Sequence, residues 1–127
     1  MNKQELFNQM INQQRQNVPE QYKLYYKDIK RIVKKIDNSI FNEKCTIWKG
    51  YITFNKNYYV NFYLYGKKLS LHRLLYINFI GDLSDNIYLT FKCKNKGCIS
   101  LNCICIKKNY NKQIETINNK LFTVSFF

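Results

Sequence analysis

Leu89-Thr90-Phe91-Lys92-Cys93-Lys94-Asn95-Lys96-Gly97-Cys98-Ile99-Ser100-Leu101-Asn102-Cys103-Ile104-Cys105-Ile106 holds four of the five cysteines of the chain. Its apolar ends predict a strand over Ile87–Phe91 and a second over Cys103–Ile106, with Lys92–Asn102 as the loop between them. Cys93, Cys98 and Cys103 recur at equal spacing across that strand, loop and strand. A compact loop of this kind can bring three thiolates within metal-bond distance. Structural zinc takes four ligands in a tetrahedron, and Cys45, far upstream, is the natural fourth. It would tie the start of the sheet region to the loop, and closure over such a distance is how a metal clip contributes folding energy. Cys105 shares a strand face with Cys103 but sits roughly 7 Å along. It is either a small buried apolar residue or an alternative to Cys45.

Moving upstream, Leu71–Ile80 predicts a short helix stopped at Gly81. Cys45–Thr53, Tyr58–Tyr65 and Lys67–Leu71 are aromatic and β-branched, with turn signals at Asn55-Lys56-Asn57 and Gly66-Lys67. They predict a three-stranded antiparallel sheet with lysines and tyrosines interleaved on it. Pro19 suits the first turn of a helix running to Ile36. Tyr22, Tyr25, Ile29, Ile32, Val33 and Ile36 form its apolar stripe, and Lys27, Lys30, Arg31, Lys34 and Lys35 its basic face. Leu6, Phe7, Met10 and Ile11 place an amphipathic helix over 2–16. Downstream, 108–118 predicts a last helix, and the apolar tail Leu121–Phe127 has to pack on its own domain or on a partner. The class is α+β, with a helical extension over 1–40 and a zinc-binding domain over 41–127.

Composition narrows the function. A net charge of +13 on 127 residues makes an anionic partner the default, nucleic acid before an acidic membrane surface. A composition rich in Lys, Asn, Ile, Tyr and Phe, of the kind AT-rich coding favours, would account for part of that charge. The 46% hydrophobic and 17% aromatic content argues against disorder. No apolar run is long enough to span a membrane. Met1-Asn2-Lys3-Gln4-Glu5 shows no apolar signal region, so an intracellular setting is expected, where clustered thiols read as metal ligands before disulfides.

Taken in order, the residues resemble the HNH endonucleases of the His-Me finger group, particularly the zinc-binding His-Cys box homing endonucleases and their phage and giant-virus relatives. Lys35-Ile36-Asp37 is followed by Cys45-Thr46-Ile47-Trp48-Lys49-Gly50, then Tyr65-Gly66-Lys67, His72-Arg73-Leu74-Leu75-Tyr76 and Gly81. The cysteine box closes the series, and the likeness covers about residues 31–115. The resemblance implies a ββα finger with zinc on Cys45, Cys93, Cys98 and Cys103, where Cys103 stands at a position usually held by histidine.

Two departures stand out. The resemblance places the general base two residues before the first cysteine of the box, and that residue is Phe91. A phenyl ring cannot accept a proton from water. It places a catalytic-metal ligand at Lys112, whose ammonium would repel magnesium, with Asn111 one place away. Ser100-Leu101 also replaces an Asn-Pro pair. His72, the sole histidine, matches a scaffold position and is expected to be packed or hydrogen-bonded within its helix. Trp48 is expected in the core beside the metal.

The expected function is therefore binding of double-stranded DNA by a zinc-stabilised, catalytically silent domain, with no catalytic residue, no magnesium and no small-molecule substrate. Lys49, Lys56, Lys67 and Lys68 on the sheet and Lys92, Lys94 and Lys96 on the loop are the expected phosphate contacts. Arg73 joins them, with an ion pair to Asp82 or Asp85 as its alternative. Asn55, Asn57 and Asn61 could read adenine edges. The alternatives are an active magnesium-dependent endonuclease with an unusual base, and a structural subunit of a viral or transcription complex. The resemblance also implies a homodimer through the C-terminal tail, and a location in the nucleus, or in a viral factory or virion were the chain viral.

Overall fold

The structure, a computed structural model, describes residues 1–53, 60–95 and 97–108. Lys56, Lys96, Asn111, Lys112, the segment expected as the last helix beyond Lys108 and the tail Leu121–Phe127 lie outside the described residues. The elements are helices α1 (Lys3–Gln13), α2 (Tyr26–Val33) and α3 (Leu71–Phe79), and strands β1 (Asn61–Leu64), β2 (Lys67–Ser70), β3 (Ile87–Phe91) and β4 (Ile104–Lys108). Short 3-10 turns occupy Glu20–Tyr22 and Leu101–Cys103. The expected α+β class stands.

Helix α1 begins where Asn2 accepts from the Glu5 N–H at 2.8 Å and Glu5 accepts from the Asn2 N–H at 2.8 Å. This reciprocal cap satisfies two donors that the first turn otherwise leaves free. Leu6 and Met10 point inward and are buried. The single helix expected from Pro19 to Ile36 is instead a 3-10 turn, an extended break and then α2. At the break Leu24 is buried while Tyr25 is extended and more than a third exposed. The apolar periodicity ran through this break because Tyr22 and Tyr25 share the spacing of Ile29 and Ile32. The tie that ends the first piece is the Asn78 amide. Its Oδ1 accepts from the Leu24 N–H at 3.0 Å and from Gln14 at 2.8 Å, while its Nδ2 donates to the carbonyls of Tyr22 and Leu74 at 2.8 Å each. Asp28 caps α2 by accepting from the Tyr25 N–H at 3.0 Å.

Strands β1 and β2 form an antiparallel hairpin in the register Leu64↔Lys67. Its two-residue turn has positive φ at both positions, Tyr65 at 51° and Gly66 at 80°. Such a turn matches the twist of the flanking strands. Glycine adopts that backbone freely, whereas Tyr65 is held there by its hydroxyl, which donates to the Lys23 carbonyl. The third strand expected over Cys45–Thr53 does not form. That segment is a strap whose one ladder contact is an isolated antiparallel bridge, Ile47 with Cys98. The Trp48 N–H donates to Gly97 and the Ile99 N–H to Thr46, each at 2.8 Å, before the Lys49 N–H turns away to Lys35 at 2.8 Å. Aromatic and β-branched composition led to a strand reading, but the strap's partner is the cysteine loop and not the hairpin. Strands β3 and β4 make the second antiparallel pair, with Phe91↔Ile104 at its closed end.

One apolar core joins these parts. Leu6 and Met10 of α1, Ile29 and Ile32 of α2, Phe62 and Leu64 of β1 and Leu71, Leu74 and Leu75 of α3 meet Trp48, Ile99, Leu101 and Ile104 from the strap and cysteine loop. Burial of these side chains is worth roughly 1.5–3 kcal/mol each before entropy is counted. Helix α3 is capped by Ser70, whose Oγ accepts from the Arg73 N–H at 3.4 Å. Seven of its first eight residues are buried, Arg73 being the exception, and His72 among them bonds to the Cys98 carbonyl of the cysteine loop.

Candidate metal centre

The fold brings together the four cysteines singled out in the sequence. Cys93 follows β3, Cys98 lies in the loop, Cys103 closes the 3-10 turn before β4, and Cys45 arrives on the strap. Their Sγ atoms all lie within 4.8 Å of one another, and Cys45 Sγ to Cys103 Sγ is 3.9 Å. A tetrahedron of sulfurs at a zinc–sulfur distance of about 2.3 Å has edges of about 3.8 Å. The donor set fits a thiophilic dication in both chemistry and size. Cys105, half-buried on β4, is not in the cluster, so the choice between it and Cys45 falls to Cys45.

The thiols conflict without a cation. Hydrogen bonding to Cys98 and Cys93, then burial, pushes the Cys45 thiol up to about 11. Burial, with Cys93 and Cys98 next, pushes Cys103 up further. Burial also opposes ionisation of Cys93, but the backbone at Asn95 and the neighbouring thiols outweigh it and its thiol is lowered. Ionisation is thus eased at Cys93 and opposed at Cys45 and Cys103. A bound dication removes the conflict by deprotonating coordinating thiols outright, so loading releases protons.

The loop geometry that makes this possible is local. Asn95 accepts from the Gly97 N–H through Oδ1 at 3.0 Å, and its carbonyl accepts from the Cys98 N–H at 3.1 Å. The Ser100 N–H points at Cys98 Sγ at 3.5 Å. Ser100, fully buried, donates to Asn42 at 3.1 Å, and the Leu101 N–H donates to Ile40 at 2.8 Å. On the strap side Asn38 Nδ2 donates to the Cys45 carbonyl and to Thr46 Oγ1, both at 3.1 Å. Thr46 is itself buried and donates to Ser39 at 2.7 Å. Partners of this kind orient ligands and tune their affinity. Asn38 and Thr46 have no role assigned from the sequence, and Ser100 is noted there only as part of the pair that replaces Asn-Pro. Each is an ordinary turn residue type, and only the long-range pairing gives it a role.

His72 is buried in α3, as expected of a packed histidine. Its Nε2 lies 2.8 Å from the Cys98 carbonyl, which can only accept, so Nε2 carries the proton. Burial lowers its proton affinity below the ordinary range, the bond to Cys98 opposing in part. The ring meets Phe91 edge-on, centroids 4.8 Å apart. Phe91 is itself more than a third exposed at the end of β3. Trp48 is buried in the core next to the metal loop.

The basic residues fall into two kinds. Lys67, Lys68, Lys92 and Lys94 are exposed, the last two on the rim of the cysteine loop. Lys49 is exposed but pairs with Asp37 at 2.5 Å. Arg73 makes neither ion pair with Asp82 nor one with Asp85. Its guanidinium donates to the carbonyls of Ile87 at 2.8 Å and Ser84 at 3.0 Å, which closes the loop before β3, and Asp82 pairs with Arg15 at 2.9 Å. Among the described residues, no helix is long and apolar enough to cross a membrane.

No protein-family model matches the chain, and no solved structure matches it. The chain is similar to uncharacterized protein R328 of Acanthamoeba polyphaga mimivirus, with 50% identity over 107 residues. The match takes in 80% of this chain and 31% of that protein, so the chain spans about a third of the length of the curated relative it matches.

Proposed function

We propose that the chain is a zinc-stabilised, catalytically silent HNH-like domain that binds double-stranded DNA through the basic rim of its metal loop and the β1–β2 hairpin. The observation that carries the reading is the four-thiol cluster together with what stands beside it. At the position where a nuclease of this group needs a proton acceptor, Phe91 packs its ring against His72. His72 is the one imidazole in the chain, and its Nε2 proton is committed to the Cys98 carbonyl. Losing a general base costs typically ~10²–10⁴-fold in rate. The mimivirus relative supports a setting in a viral factory or virion.

Duplex binding is tested by anisotropy on a labelled DNA duplex at rising salt. The slope of log K against log salt should be strongly negative, at about −0.9 per phosphate neutralised. Replacing Lys67, Lys68, Lys92 and Lys94 by glutamine together should flatten it by about 3–4. A wild-type slope of zero would refute the reading. Plasmid nicking with magnesium should be absent, and nicking by the wild-type protein at a rate typical of an HNH enzyme would show that the domain is not silent.

A further inference from the structure

Residues of helix α2 and of the β1–β2 hairpin line an open groove of about 400 Å³: Lys27, Asp28, Arg31, Tyr63, Tyr65 and Gly66. That volume lies within the range of small-ligand clefts, about 300–1,000 Å³. Arg31 builds the floor. Its guanidinium sits 4.2 Å from the Phe62 ring centroid and donates to Asp28 at 2.9 Å and to the Tyr63 carbonyl at 2.9 Å. The side chain is nonetheless 47% exposed.

The groove's one acid cannot repel an anion effectively. Asp28 is buried, with one oxygen on Arg31 and the other on the Tyr25 N–H. The nearby carboxylate of Glu20 is engaged by the Tyr25 hydroxyl. The walls are two aromatic rings with open faces. Tyr63 is 59% and Tyr65 50% exposed. Tyr65 is fixed by its hydroxyl bond to Lys23 and lies beside Tyr25, ring centroids 6.4 Å apart. Tyr63 points outward because Phe62 and Leu64 point in, and its cross-strand partner Lys68 shares that outward face. Lys23 stands 5.4 Å from the Tyr25 ring and Lys27 is exposed at the rim.

We propose that this groove is a stacking site for the bases of single-stranded nucleic acid, with Tyr63 and Tyr65 as platforms and Lys27 and Lys68 along the phosphates. Held aromatic faces interleaved with cations are what an unpaired strand requires, since every base has a π face and every linkage a negative charge. A duplex hides its base faces, so it cannot use the tyrosine platforms, and it shares with this site only the hairpin and Lys68.

The test is anisotropy with labelled dT12 and U12, alongside a labelled duplex, on the zinc-loaded full chain. Tyr63→Ala should weaken single-strand binding about tenfold, as loss of one stacked base does. Tyr63→Phe, which keeps the ring, should retain wild-type affinity, and Lys27→Gln should weaken binding and reduce its salt slope by about 0.7. Duplex binding by Tyr63→Ala should change less than twofold. The two single-strand probes separate a DNA preference from an RNA preference, and binding of either satisfies the proposal. It is overturned if the wild-type protein binds neither strand, if Tyr63→Ala binds like wild type, or if a polyglutamate peptide competes as well as dT12. Duplex binding without single-strand binding would leave the duplex reading standing alone, and the reverse would leave only the stacking site.

Discussion

Replacing Cys45 by serine tests whether the metal acts as a cross-link. Cys45 and Cys103 are 58 residues apart, whereas Cys93, Cys98 and Cys103 are spaced by five. In the chain-entropy treatment of a cross-link, closing a loop of 58 residues is worth about 4 kcal/mol and one of five residues about 2 kcal/mol. Cys45→Ser discards the long closure. Cys93→Ser discards a short one and leaves Cys45 tied to Cys98. Both side chains are half-buried, so their packing losses are comparable. The zinc-loaded Cys45→Ser protein should therefore be about 2 kcal/mol less stable than zinc-loaded Cys93→Ser. In urea that is a midpoint lower by about 1 M at a slope of about 2 kcal/mol per molar. Adding a strong chelator should abolish the difference, because the closure exists only through the metal. Equal midpoints in zinc, or a difference that persists in chelator, would refute the cross-link account.

Three further outcomes follow from the geometry. Asn78→Ala removes the acceptor of the buried Leu24 N–H and the donor to the part-buried Tyr22 carbonyl, and should cost about 3 kcal/mol in chemical denaturation. A loss below 1 kcal/mol would mean that water replaces the amide. Gly50→Ala would bring a methyl group 2.6 Å from Nε1 of Trp48, so it should cost about 1–3 kcal/mol and shift the emission of the sole tryptophan, which unchanged emission would contradict. The Asp37 carboxylate is held below its ordinary value by its bond to Lys49, then by the charges of Lys49 and Lys3, with slight burial opposing. Its contribution to stability is present above the unfolded value near 3.8 and is lost as pH falls through the lowered one. Lys49→Gln should move its NMR titration midpoint upward, and an unmoved midpoint would exclude Lys49 as the cause.

The four-cysteine cluster was legible because the chain has only five cysteines and their spacing is unusual. Strand β3 and helix α3 were legible because each is a short apolar run with a clear stop, Gly81 in the case of α3. The strap was not legible. Its composition is that of a strand, and a strand differs from a strap only in what pairs with it across the chain. The break before α2 was hidden for the same reason, since the tie at Asn78 reaches the Leu24 backbone from 54 residues away. Arg73 shows the limit on the basic surface. A sequence reveals that an arginine is rare, but not that two carbonyls already use its donors.

The order in which the ligands are made has its own consequence. At about 5–20 residues per second, synthesis brings out Cys103 about 3–12 s after Cys45. By then α1, α2, the hairpin and α3 have all been made, and the Cys45 thiol has no partners until the loop follows. The scaffold is thus offered to the cell before its fastener. A thiophilic ion arriving early would meet one thiol and no site, and the four-thiol cluster is complete only once Cys103 has followed, on a core already able to collapse.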